Sequence, residues 1–286
     1  MRRALLGAHV SIAGGLPTAI GRAEELGCEA AQIFVKNASQ WRGRPLGYEE
    51  EMGFCAAHEA AALGPIVAHA SYLINLAARD ETILARSRAA LADELVRCDR
   101  LGVEGLVVHP GAHLGAGEDE GMERIATSLE AVLGVALAER PGLGTRVLLE
   151  NTAGQGTVLG FRNAQLAAMR AASGHPARVG YCLDTCHAFA AGYAVHEAAG
   201  WEEWMAEVGE VLGFEQVGAY HLNDSKQPFG SRKDRHENVG QGEIGPACFA
   251  RLIHDERAAG RAMVVETPMG DDEGGHRRDL EFLRSL

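Results

Sequence analysis

Six side chains able to bind a divalent cation recur at the ends of short apolar runs. His69 follows Val67-Ala68, His109 follows Val107-Val108, Glu150 follows Leu148-Leu149, and Asp184 follows Cys182-Leu183. His221 follows Ala219-Tyr220 and Glu266 follows Val264-Val265, while His9 sits near the end of the first run. Mixed imidazole and carboxylate donors without thiolate suit zinc, manganese or iron in catalytic sites that keep open positions. None of these run ends carries Lys or Arg, so the carboxylates have no built-in partner, and burying them unpaired is expensive. A second cluster, His187 just beyond Asp184 together with Asp234-Arg235-His236, offers a further His/Asp/His set. Divalent ions clustered about 4 Å apart are the usual arrangement for in-line displacement at phosphorus. The residues point to metal-dependent phosphodiester chemistry.

Such donors are useful only if something gathers them. The apolar runs cover residues 5–10, 31–35, 65–68, 105–108, 146–149, 179–183, 217–220 and 262–265. They are continuously apolar, as strands buried on both faces are. Helical patterns alternate with them at 17–26, 49–63, 81–101, 120–140, 163–172, 201–212, 246–259 and 278–286. In the clearest of these, Leu84, Leu91, Leu95 and Val96 share one face, against Arg86, Arg88, Asp93 and Arg97 on the others. Strand–helix units repeated along 286 residues, with no linker or composition break, predict an α/β chain. They predict one (β/α)8 TIM barrel over residues 1–286 with long loops at the strand C-terminal face. In that fold every strand end opens into one mouth. An open doubly wound sheet would show a glycine-rich phosphate turn after its first strand, and Gly14-Gly15 does not match that pattern.

The bulk composition sets further bounds. At 47% hydrophobic and 23% charged the chain has the makings of an ordinary globular core. No apolar run is long enough for a membrane span. The start, Arg2-Arg3 and then Ala4-Leu5-Leu6, reads as a first strand and not as a signal peptide. Cys182 and Cys186 lack CxxC spacing, so the 6 cysteines read as reduced thiols of a cytoplasmic protein. A formal net charge of −12 argues against nucleic acid as a partner, because phosphate binding leaves a basic footprint. That objection has a local answer. Lys36, Lys226 and Lys233 are the only lysines, and all fall in mouth-side loops with Arg42, Arg44, Arg232 and Arg235.

Several long polar strings resemble endonuclease IV, the trinuclear-zinc apurinic/apyrimidinic (AP) endonuclease family of base-excision repair. They are Gly7-Ala8-His9-Val10-Ser11, His69-Ala70-Ser71-Tyr72-Leu73-Ile74-Asn75-Leu76, His109-Pro110-Gly111 and Glu150-Asn151-Thr152-Ala153-Gly154-Gln155-Gly156. Asp184-Thr185-Cys186-His187-Ala188-Phe189-Ala190-Ala191-Gly192-Tyr193, His221-Leu222-Asn223-Asp224-Ser225-Lys226, Gly230-Ser231-Arg232-Lys233-Asp234-Arg235-His236 and Glu266-Thr267-Pro268 continue the match in order. The resemblance implies three Zn2+ ions, with Mn2+ as a substitute. One would be held by His69, His109 and Glu150, and a second by Glu150, Asp184, His221 and Glu266. His187, Asp234 and His236 would hold the third.

The activity implied is cleavage of the phosphodiester 5′ to an abasic site in double-stranded DNA, leaving a 3′-hydroxyl and a 5′-deoxyribose phosphate. Trimming of blocked 3′ ends goes with it. A metal-held hydroxide would be the nucleophile, with Glu150 setting the intermetal spacing and Glu266 orienting the attack. The resemblance also implies groove-entering loops, here offering Lys36, Asn37, Gln40, Trp41, Tyr72 and Leu73, with Arg232 and Arg235 as further DNA contacts. Where the family commonly has arginine this chain has Ser39, which shifts strand penetration onto Tyr72, Leu73, Gln40 and Arg42. A monomer is expected. The competing expectation is a metal-dependent sugar isomerase or epimerase on the same barrel, which needs neither the His187/Asp234/His236 set nor such loops.

Overall fold

A computed structural model of the chain describes residues 3–271 and 273–286. Among the described residues the eight apolar runs form strands that close into a parallel barrel, in the order β1-β10-β7-β6-β5-β4-β3-β2. These are β1 (Leu5–His9), β2 (Ala30–Ile33), β3 (Ile66–His69), β4 (Gly105–Val108) and β5 (Arg146–Glu150). Completing the ring are β6 (Val179–Asp184), β7 (Val217–His221) and β10 (Ala262–Val265). A two-residue antiparallel ribbon, β8 (Asp224–Ser225) with β9 (His236–Glu237), stands outside the barrel. The connecting helices are α1 (Leu16–Glu25), α2 (Tyr48–Ala60), α3 (Glu81–Arg100), α4 (Glu118–Glu139) and α5 (Asn163–Ala171). They continue with α6 (Thr185–Ala191), α7 (Ala198–Glu207), α8 (Pro246–His254) and α9 (Gly275–Ser285). Among the described residues, no helix is long and apolar enough to cross a membrane.

The barrel interior explains where the chemistry sits. Alternate residues of a strand face the same side. One inward layer consists of Ala30, Val67, Val107, Leu148, Cys182, Ala219 and Ala262, a buried apolar plug of its own. Leu148 is the large member. It fits because a side chain at Gly105 would lie 2.5 Å from its Cδ1, and one at Gly218 2.8 Å from its Cδ2. Two residues further along the same faces come Gln32, His69, His109, Glu150, Asp184 and His221. Glu266 joins from four residues beyond Ala262. The polar layer is therefore stacked directly on the apolar one, at the C-terminal mouth.

Beyond shifts of up to three residues at other helix ends, three features depart from the periodicity reading. The pattern for 246–259 breaks at His254, because the Asp255 carboxylate accepts the Arg257 backbone N–H at 2.9 Å and closes a local turn. α7 carries on as a π-type turn over Val208–Leu212. α6 was not anticipated. It starts at Asp184, whose Oδ1 accepts the His187 backbone N–H at 2.7 Å, and stops at Gly192 with φ of 108°.

Candidate metal centre

Each donor set expected from the sequence has its ligand atoms within 4.8 Å of one another: His69/His109/Glu150, Glu150/Asp184/His221/Glu266 and His187/Asp234/His236. Glu150 joins the first two. Its Oε2 lies 2.9 Å from His109 Nε2 and 3.2 Å from His69 Nε2, and its Oε1 2.8 Å from His221 Nδ1. Glu266 Oε2 approaches the same His221 Nδ1 at 3.2 Å. Asp234 divides its oxygens in the third set, with Oδ2 3.2 Å from His187 Nε2 and Oδ1 3.2 Å from His236 Nε2. His236 Nε2 is also 3.8 Å from Asp184 Oδ2, which brings the second and third sets together.

Whether these groups suit cations is decided by where the imidazole lone pairs point. A backbone carbonyl can only accept, so a ring nitrogen facing one carries the proton. His69 Nδ1 lies 2.8 Å from the Ala70 oxygen, His187 Nδ1 2.9 Å from that of Asn151, and His236 Nδ1 3.3 Å from that of Glu266. Their Nε2 atoms face the cluster. His236 Nε2 is buried and makes no hydrogen bond among the described residues. His221 is reversed: its Nε2 meets Gln32 Oε1 at 2.8 Å, leaving Nδ1 for the cluster. The donor chemistry fits divalent ions of the zinc type.

Gln32, Asn151 and Asn223 are the functional residues that the sequence reading missed. Gln32 Nε2 donates to Glu266 Oε1 at 2.5 Å and lies 2.9 Å from His9 Nδ1. Asn223 Nδ2 donates to Asp184 Oδ2 at 2.6 Å, and its Oδ1 accepts the Glu266 backbone N–H at 2.8 Å. Asn151 both accepts from and donates to the Asp184 backbone. For Gln32 a signal existed, one amide at an inward position of an apolar strand.

The cluster's electrostatics favour positive charge. Burial alone would raise the Glu150 carboxyl, yet His221 and His109 hold it well below the usual carboxylate range. Glu266 behaves alike under His221 and His9. Burial works against charge on His69, but Glu150 outweighs it and pushes the imidazole up to about 9. For His236 burial is likewise outweighed by Asp234, again to about 9. Protons and metal ions compete for the same lone pairs.

A cleft of about 470 Å³ opens over the cluster, lined by His9, Phe34, Tyr72, Arg235, Met269 and six of the nine ligand side chains, with Glu150, Asp184 and His221 beneath them. Arg235 in its lining is exposed, as are Arg232 and, lining a second cleft of about 370 Å³, Asn37 and Gln40. Tyr72 is 70% and Leu73 37% exposed. The Arg232 guanidinium is stacked 4.9 Å from the Phe161 ring centre. Trp41 is half-buried and packs against the core. Lys36 is a correction. It is buried, with Nζ 2.9 Å from Glu94 Oε1 and donating to the Gln40 carbonyl at 2.6 Å, so its ammonium does not face a DNA backbone.

Fold and mouth together define a barrel that gathers metal donors. In accord, residues 20–286 match the family described as xylose isomerase-like TIM barrel. Within that class, a protein of Chloroflexus aurantiacus named "probable endonuclease 4" is 44% identical over 280 residues, 98% of this chain and 97% of that one. Its namesake from Geobacter sulfurreducens is 43% identical over 281 residues, 98% and 94% of the two chains. The crystal structure of endonuclease IV from Thermus thermophilus superposes with a TM-score of 0.86 at 38% identity, covering 99% of this chain and 100% of its own. This chain belongs to the endonuclease IV family. A D-tagatose 3-epimerase-like protein, at 18% identity and a TM-score of 0.71, shares the fold alone over 98% of this chain and 94% of its own.

Proposed function

We propose that the protein is a zinc-dependent DNA repair endonuclease. Its substrate is double-stranded DNA with an abasic site, cut on the 5′ side to leave a 3′-hydroxyl and a 5′-deoxyribose phosphate. It also trims blocked 3′ ends. The observation that carries this reading is the convergence of the three donor sets, the first two joined by Glu150, beneath a cleft lined by exposed Tyr72 and Arg235. Ions held there would polarise the phosphodiester and favour attack by water at neutral pH. Three divalent ions bring about +6 against about −4 from Glu150, Asp184, Asp234 and Glu266, a net attraction for phosphate.

The chain's own groups divide the work. Glu150 fixes the spacing between the first two sets through its two oxygens. Gln32 holds Glu266 by one oxygen and turns the other to the second set. Asp234 ties His187 to His236. Tyr72 and Leu73, with Gln40 and Arg42, enter the minor groove and fill the space beside the flipped abasic nucleotide, where Ser39 offers only a hydroxyl. The third donor set and these loops weigh against a keto-sugar isomerase.

The test is a duplex with a single abasic site, with both product ends assigned and metals counted by elemental analysis. A 3′-hydroxyl, a 5′-deoxyribose phosphate and about three zinc ions per chain are expected. No incision, combined with turnover of a keto sugar, would overturn the reading.

A further inference from the structure

The loops after β2 and β3 stand side by side at the mouth, and a buried network ties them. Lys36 leaves β2, Glu94 sits in the middle of α3, and their side chains are 3% and 2% exposed. Lys36 Nζ donates to the Gln40 carbonyl at 2.6 Å. Glu94 Oε2 accepts the Ser71 backbone N–H at 3.1 Å. Ser71 Oγ donates to the Ala38 carbonyl at 2.5 Å and accepts from the Leu73 backbone N–H at 3.3 Å. Gly43 closes tightly over Lys36, since a side chain there would lie 3.0 Å from Lys36 Cβ. The network therefore ends on backbone groups of 38–40 and 71–73, the segments that carry Gln40, Tyr72 and Leu73.

We propose that Lys36 and Glu94 are positioning residues for duplex recognition, a buried strut that locks the two loops into one rigid wedge. The proposal rests on the abasic-site reading. A buried ion pair recovers in attraction roughly what desolvation costs, so what it supplies here is geometry. A wedge ordered on folding does not have to be ordered on binding, and that ordering is a main cost of association. The strut touches no metal donor, and its one link toward the cluster is the Ala70–Ser71 peptide, whose N–H Glu94 accepts and whose carbonyl faces His69 Nδ1. Ser71→Ala keeps that peptide, so it spares the cluster and penalises only substrates that engage the loops.

Two variants of the metal-loaded protein test it. Ser71→Ala removes one link. The double variant Lys36→Met/Glu94→Leu removes both charges and leaves neither buried alone. Each is assayed on an abasic duplex and on bis(4-nitrophenyl) phosphate, with metal content and amide hydrogen exchange measured alongside. The expected result is a KM for the duplex raised about tenfold in both, with kcat, small-diester turnover and metal content unchanged in Ser71→Ala. Exchange should quicken at 37–41 and 71–73. Unchanged duplex KM in both variants, or equal losses on both substrates in Ser71→Ala, would overturn the strut. If the double variant fails to fold, Ser71→Ala decides alone. Failure of the unaltered protein to cut abasic DNA would sink the functional reading instead, and hydrogen exchange would still judge the strut.

Discussion

Glu150 is the residue on which two donor sets depend, since its two oxygens face different imidazoles. Glu150→Gln keeps the shape and removes the charge. Incision should fall on the order of a thousandfold, about 4 kcal/mol of barrier, and elemental analysis should show at least one metal lost. His236→Ala should lower the count by about one ion while Glu150 keeps the rest. Gln32→Leu preserves volume but frees His221 to adopt the wrong tautomer. Chelator competition should then show metal held about 10- to 100-fold more weakly. The pH dependence has a definite sign. His69 and His236 are pushed up to about 9, so in the metal-free protein they are protonated at neutral pH. Metal loading must release those protons, and affinity should rise from about pH 6 to about 9 and fall on acidification. Calorimetry in buffers of different ionisation heat reads the release, and none detected would contradict the ligand assignment.

At the scale of elements, the ordering device is the alternation of inward residues, an apolar layer and then a polar layer two residues on. That device was legible. Continuous apolar runs ending in His, Asp or Glu marked the barrel strands and the ligands, because strands buried on both faces are apolar throughout and their C-terminal ends open into one mouth. Gln32 was not, because it lies inside the run Ala30-Ala31-Gln32-Ile33 and not at its end, and only closure of the barrel brings it to His221 and Glu266. Lys36 misled for a related reason: its partner Glu94 lies in α3, far along the chain, and only the fold brings them within 2.9 Å. The ribbon β8–β9 and α6 are too short to leave a periodic signal. The ribbon still matters, since it delivers His236. Its anchor is Asp224, which accepts the backbone N–H groups of Ser225, Gly240, Gly242 and Ile244 at 2.8 to 3.0 Å. Asp224→Ala should cost about 3 kcal/mol in urea unfolding and lower metal content through the third set.

For the whole molecule, the issue is how a chain of net charge −12 would meet DNA. Charge placement answers it. Lys226, Lys233, Arg42, Arg232 and Arg235 are exposed in the mouth-side loops. Duplex KM should therefore climb steeply with salt, because each phosphate neutralised releases counterions, whereas small-diester turnover should hardly change. Arg232→Ala should flatten that slope by about one unit. The account as a whole hangs on cations gathering where the nine imidazole and carboxylate side chains converge. Anomalous diffraction at the zinc edge, from crystals grown with zinc, measures this directly. The account predicts three peaks within about 2.0–2.3 Å of donor atoms, one inside each of the three sets. Peaks elsewhere on the surface, or a cluster whose side chains pair with one another and leave the mouth without metal, would contradict it.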